Sequence, residues 1–286
     1  MKKYFIPKIW YLFIGSFIVI LINSCKEIGP PIDLTETVYE TYIETPEAPQ
    51  NKVVVIEDFT GAACVNCPLA HEAITEIISL HPGQIAAIAE YNYFADPLNI
   101  DEILVTQPAY DIDNNILGPI NSWPASFVDR VDFDDDNLLA EVPDNLLPYT
   151  EQQLLLTPPC NIYLDKLFDD ISRNLSLTLT IKYTEDITVP NNLSVVIAEN
   201  GIIAAQITPT GEIPDYIHNH VMRAMLTFYS GDALPETNVA GRVYVFNYTY
   251  LLPAEWNAAN MDIIAFVHNF DGDNKEILQG AIVEIY

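Results

Sequence analysis

Val53-Val54-Val55-Ile56-Glu57-Asp58-Phe59-Thr60-Gly61-Ala62-Ala63-Cys64-Val65-Asn66-Cys67-Pro68 is the stretch on which the fold turns. Four consecutive β-branched residues from Val53 read as a strand buried on both faces, as in a parallel or mixed sheet. Glu57, Asp58 and Phe59 continue the strand, and Thr60 to Ala63 form a turn of small residues. After Pro68, Leu69, Ala73, Ile77 and Leu80 fall close to one helical face, with Ile74 and Ile78 alongside. Pro82 and Gly83 end that helix, and Ile85 to Tyr93 is a second apolar strand. The unit therefore reads strand, Cys-x-x-Cys, helix, strand.

A cysteine pair at a helix N-terminus has a chemical use. Free backbone N–H groups and the helix dipole favour a thiolate on the first cysteine. Cys64 is the expected exposed nucleophile and Cys67 the buried resolving thiol. Pro68 lacks an N–H, which costs little in a first turn. Such a pair can also be half of a zinc site, but no second cysteine pair stands at useful spacing. His71 is expected as a partly exposed surface residue. An inert disulfide is the remaining alternative. Closing so short a loop contributes little stability, so the spacing points to a redox-capable pair. No cofactor or metal is expected.

Upstream, a basic start at Met1-Lys2-Lys3 is followed by an apolar run from Ile9 to Ile22 and then Asn23-Ser24-Cys25. This is the pattern of a secretory signal, and the run is too short for a spanning helix, which needs about 20 residues. The ending resembles a bacterial lipobox, which makes Cys25 the lipidated first residue of the mature chain. The resemblance to Gram-negative lipoproteins implies an outer-membrane anchor, because Lys26 and Glu27 follow the cysteine. Residues 26–50, with Gly29, Pro30, Pro31, Pro46 and Pro49, read as an extended linker. The net charge is -28, with 40 acidic and 12 basic side chains, so nucleic acid is excluded as a partner and the acidity reads as a solubilising surface.

Downstream, residues 137–158 hold a short helix and a junction at Pro158-Pro159, after which the hydrophobic period changes to two. Leu175, Leu177, Leu179, Ile181 and Tyr183 alternate with polar residues, and so do the residues of Val243 to Tyr250. Asn200-Gly201 between Leu193–Glu199 and Ile202–Ile207 predicts a hairpin. Asp271-Gly272-Asp273-Asn274 predicts another, between Met261–Asn269 and Ile277–Tyr286. About seven short strands suggest an immunoglobulin-like β-sandwich over 158–286. His218 and His220 would share one side of a strand and could bind a metal, but no third ligand can be named, so a packed loop is expected. Cys160 is expected as a buried free thiol.

The first domain, residues 51–157, resembles the thioredoxin superfamily, giving an α/β thioredoxin-like domain followed by the all-β sandwich. The resemblance rests on the strand-dithiol-helix order, on Asp58 six residues before Cys64, and on Ser122-Trp123-Pro124-Ala125-Ser126-Phe127-Val128. It implies that Asp58 is a buried acid moving the proton of Cys67. It also implies that Pro124 is a cis-proline packed on the dithiol and shaping a peptide groove, with Trp123 stacking on a bound peptide or obstructing one. Residues 94–121 would be extra loop. Two features depart from the pattern: Val65 and Asn66 include no His, Lys or Pro, and Ala63 replaces an aromatic residue. Almost the whole chain is also similar to the outer-membrane-protein-28-related lipoproteins of Bacteroidetes. The resemblance lies in the lipobox, Gly61 to Pro68, Tyr216 to Arg223, and Ile263 to Glu284. This second resemblance implies an outer-membrane location and a thioredoxin-like plus β architecture; the dithiol and the thioredoxin resemblance imply thiol-disulfide exchange on exported proteins or peptides. The alternative is a non-catalytic envelope or surface binding protein, an adhesin or assembly component, using the fold as a scaffold.

Overall fold

A computed structural model describes residues 39–91, 101–134 and 139–286. The signal segment, Cys25 and the first part of the linker lie outside the described residues. The rest of the linker is more ordered than its composition predicts. Strand β1 (Tyr39–Ile43) pairs antiparallel with β13 (Arg242–Leu251), Tyr39 opposite Phe246 and Ile43 opposite Arg242. The cause is aromatic: the Tyr39 ring lies 5.4 Å from Phe246 and 5.9 Å from Tyr244. Farther on, Asn161 donates to Glu47 and to the Ala48 carbonyl, so the proline-containing stretch is also fastened down.

The expected unit is present. Strand β2 (Val54–Thr60) leads through the cysteine turn into α1 (Cys67–Leu80), and α1 returns to β3 (Ile85–Tyr91), parallel to β2. Both strands are buried along their whole length. Val54 and Ile56 face α1 and α4 (Pro143–Leu154), while Val55 and Phe59 face the opposite layer with α3 (Gln107–Asn115). The buried face of α1 is Cys67, Ala70, Ile74 and Ile77, and Leu69 and Leu80 are each 53% exposed. The helix starts at Cys67, so its packing stripe is counted from that buried cysteine rather than from Leu69. Within 94–121, α2 (Asp101–Leu104) and α3 replace much of the expected loop; Thr106 caps α3 by accepting from the Ala109 N–H.

Strand β4 (Ala125–Val128) pairs antiparallel with β2, and β5 (Ala140–Glu141) continues that edge. On the other side of β3 the sheet does not end. Strand β11 (Val221–Met225) joins β3 in parallel at Val221 and Ala89, and then come β8 (Asn191–Glu199), β14 (Met261–Asn269) and β15 (Ile277–Glu284). With β12 (Asp232–Leu234) on β8, nine strands form one sheet. It runs across the expected division at residue 158. A separate seven-stranded immunoglobulin-like domain is thus not what residues 158–286 form. Their second layer is a four-stranded sheet, β1-β13-β7-β6, with β6 (Cys160–Asp169) and β7 (Asn174–Tyr183). That sheet packs Leu177, Leu179 and Phe246 against Val195, Ile197 and Ile263 of β8 and β14. The protein is predominantly β, and Cys160 is a buried free thiol. Its thiol is pushed up to about 12 by burial.

The Asp271–Asn274 turn links β14 to β15 as expected. The Asn200-Gly201 turn does not make the expected hairpin. Gly201, with φ +74°, turns the chain out of the large sheet, and β9 (Ile202–Thr208) pairs instead with β10 (Gly211–His218). Asn200 explains the corner: its side chain donates to Asp262 and its backbone N–H to the Asn260 carbonyl, holding the turn against the start of β14.

Candidate functional site

Cys64 and Cys67 form a disulfide, with Cα atoms 5.4 Å apart. Cys64 is half-buried and precedes α1, and Cys67 is buried as its first residue. The N–H of Cys67 donates to the Cys64 carbonyl, so the turn is closed by backbone as well as by sulfur. The peptide between Trp123 and Pro124 is cis. Ala125 of β4 lies opposite Phe59 of β2, and β4 runs antiparallel, so Trp123 and Pro124 precede β4 at the sheet end where the dithiol turn leaves β2. Trp123 is half-buried against the apolar cluster of Phe59, Ile112 and Phe127.

Asp58 lies on β2 opposite Ser126, whose hydroxyl donates to Oδ1 at 2.7 Å, while Oδ2 has no hydrogen-bond partner. Burial pushes its carboxyl up to about 7, with the Ser126 hydrogen bond opposing. His71 Nε2 stands 3.5 Å from Oδ2. Burial, reinforced by His218 and His220, pushes the His71 imidazole down to about 3, so it is neutral at ordinary pH and the contact is not an ion pair. Its ring is held at both ends, Nε2 to Thr60 Oγ1 and Nδ1 to the Tyr216 hydroxyl, each at 2.9 Å. One ring nitrogen donates and the other accepts.

The β9–β10 hairpin lies over the dithiol turn. The Ile207 N–H donates to the Ala62 carbonyl, and the buried Gln206 amide donates to the carbonyls of Gly61 and Cys64 at 3.2 and 3.0 Å. Its strand β10 ends in the histidine pair. His218 Nδ1 meets the Tyr91 hydroxyl at 2.7 Å, and His220, at φ +58°, lies beyond the strand. Burial lowers both rings to about 4. They do not line one side of a strand, and among the described residues no group of three or more His, Cys, Asp or Glu could hold a metal ion.

The chain's residues 120–284 match the family model described as outer membrane protein Omp28. The protein belongs to the Omp28 family. Its members are outer membrane proteins by name. Among solved structures, it is similar to HBP35 of Porphyromonas gingivalis, with a TM-score of 0.67, 21% identity, and coverage of 84% of this chain and 77% of that one. A crystal structure of an Agrobacterium tumefaciens protein matches at TM-score 0.50 and 12% identity, covering 83% of this chain and 96% of that one. At these identities the likeness concerns the fold alone. No curated protein sequence matches the chain. Among the described residues no helix is long and apolar enough to cross a membrane.

The Omp28 match begins after the dithiol and includes the hairpin that covers it. Residues from both halves thus build one site. Sequence reading brought Cys64, Cys67, Asp58 and Pro124 together but missed His71, Gln206 and Tyr216. His71 is 17% exposed but not free in solvent; a hydroxyl 145 positions away holds it against Asp58. Its helical spacing from Cys67 was the only local signal. Also missed was the buried ion pair beneath the site, where Arg130 donates to both oxygens of Glu57 at 2.6 and 2.7 Å.

Proposed function

We propose that this Omp28-family protein is a lipoprotein anchored in the outer membrane through Cys25, with a thioredoxin-like first half that exchanges disulfides with exported proteins. The observation that carries this reading is the joint placement of the Cys64–Cys67 disulfide, Trp123-Pro124 and buried Asp58 around one end of the β2–β4 pair. In the reduced form, the Cys64 thiolate attacks a substrate disulfide, forms a mixed disulfide and releases one substrate thiolate. Cys67 then loses its proton to Asp58 and attacks the Cys64 sulfur. This restores the disulfide found here and frees the second substrate thiol. Two electrons pass from dithiol to substrate, and the reverse sequence oxidises a substrate dithiol. A carboxyl titrating near 7 is suited to a proton that must move both ways. Pro124 and Trp123 would border the peptide.

The hairpin is the observation that favours the second reading. Gln206 holds the Cys64 carbonyl, as a purely structural disulfide in a binding scaffold would require. A Cys67→Ser variant separates the two. Exchange predicts that Cys64 of this variant captures exported proteins as mixed disulfides that dithiothreitol releases. An empty trap, with Cys64 unreactive until the chain is unfolded, supports the scaffold.

A further inference from the structure

We propose that the cavity of about 420 Å³ between α1 and the β10–β11 connection binds an alkylammonium ion, its charged head on Asp58 and its stem along the apolar wall. Floor and rim differ in character. Asp58, Ala87, Ile88 and Ala89 are buried at the floor, whereas Glu72, Thr75, Glu76 and Ser79 stand exposed along the α1 rim. Asp58 is 1% exposed, lines this space, and has one carboxylate oxygen without a hydrogen-bond partner. A buried acceptor left in that state favours a donor ligand.

The chemistry of the donor follows from what surrounds the oxygen. The cavity is lined by three carboxyl groups, Asp58, Glu72 and Glu76, and by no Lys or Arg. His71 and His220, which line it, and His218 behind Tyr91 are kept neutral by burial, so they supply no competing cation. The ligand is therefore a cation. A guanidinium is poorly matched, because it pairs best with two carboxylate oxygens and Oδ1 already accepts from Ser126. An ammonium needs one point of charge. A bare inorganic cation leaves Ile74, Ala87, Ala89 and Ile217 without a partner, whereas a chain of methylenes fits against them. Two sources share this chemistry: a free aliphatic amine, and a lysine side chain of an exported protein.

The groups facing Asp58 fix the pH dependence. They are His71, Glu72 and Glu76 of α1, Tyr91 of β3, and Tyr216, His218 and His220 from β10 and its connection. Burial holds Tyr91 and Tyr216 above the ordinary tyrosine value, so both stay protonated below pH 9. Asp58 is then the group that changes charge at neutral pH. Its ionised fraction rises about tenfold from pH 6 to pH 8, and ammonium affinity should rise with it.

The test uses the full chain in detergent with the dithiol oxidised, so it does not depend on exchange chemistry, and its failure would leave that reading standing. Titration calorimetry compares 1,5-diaminopentane and N-acetyl-lysine methylamide with their uncharged counterparts, 1,5-pentanediol and N-acetyl-norleucine methylamide. The expected result is binding of an amine and not of its neutral counterpart, about tenfold tighter at pH 8 than at pH 6. Asp58→Asn should abolish it, and the exposed pair Glu72→Gln with Glu76→Gln should weaken it severalfold without altering the thermal transition. Tighter binding of the lysine derivative assigns the pocket to protein clients; tighter binding of the diamine assigns it to free amines. Failure of both amines to bind, or binding that neither the Asp58 variant nor the rim variant changes, overturns the proposal. Should the Asp58 variant not fold, the rim variant and the pH dependence decide.

Discussion

Strands β2 and β7 solve opposite problems. Along β7, Leu175, Leu177, Leu179, Ile181 and Tyr183 point into the sandwich, and the polar residues between them reach the outer side. All seven residues of β2 are buried, Glu57 and Asp58 among them. A strand with one wet face can put its polar side chains in water; a strand covered on both faces must pair them or keep them neutral. Glu57 is paired by Arg130, and Asp58 is left as an acid titrating near 7. Asp58 lies at the sheet end where the dithiol turn leaves β2, while other buried polar groups around the same sheet are paired, Lys52 with Asp129 at 2.9 Å and Ser194 with His268 at 3.2 Å. A buried acid shifted in this way and lining a cavity is a candidate for chemistry.

The comparison is broken most severely by Arg130→Met. It leaves Glu57 buried without its partner and should cost about 3–5 kcal/mol in urea unfolding. Asp58→Asn should act in the opposite direction. The folded state holds the Asp58 proton up to about pH 7 and the unfolded chain only to about its ordinary 3.8. The stability due to the neutral acid is therefore fully present below pH 4 and is lost as pH rises through 7. Asparagine stays neutral, so the variant should gain on the order of 4 kcal/mol over the parent at pH 8 and little at pH 4. Urea midpoints at the two pH values read this directly, and a gain independent of pH would contradict it.

Part of the fold and of the site is legible in the sequence. The continuous apolar runs of β2 and β3 and the breakers Pro82 and Gly83 carry their own local signals, so the strand-dithiol-helix-strand unit could be read from them. The alternation along β7 and β13 gave those strands in the same way. On α1 the expected Ile74 and Ile77 are buried with Ala73 and Ile78 packed beside them, whereas Leu69 and Leu80 have the right spacing but no neighbouring layer to cover them. Asn200-Gly201 carries a hairpin signal, yet the partners of β8 lie in β11, β12 and β14, and pairing across such distances leaves no local trace. The same cause hid the single sheet behind an apparent domain boundary, and hid the contacts of His71 and Gln206.

A milder perturbation sharpens the sandwich side. Leu177→Ala, a fully apolar site with 1% exposure, should cost about 3 kcal/mol, equally at pH 4 and pH 8. A pH-dependent loss would mean that the two ends of the sheet are coupled. The smallest effect is expected from Gln206→Ala. It removes the donors to the Gly61 and Cys64 carbonyls, at a cost of about 1–2 kcal/mol. It should also speed reduction of the disulfide by dithiothreitol, followed by thiol alkylation. An unchanged reduction rate would mean that the hairpin does not restrain the dithiol turn.

The reduction potential of the Cys64–Cys67 pair tests the account most directly. The protein would be equilibrated in glutathione buffers and its thiols trapped by alkylation. Exchange with exported proteins predicts a potential above about -270 mV, with Cys64 alkylated before Cys67. A potential below about -300 mV, with neither thiol reachable until the fold is opened, would contradict it and make the disulfide a structural part of a binding scaffold.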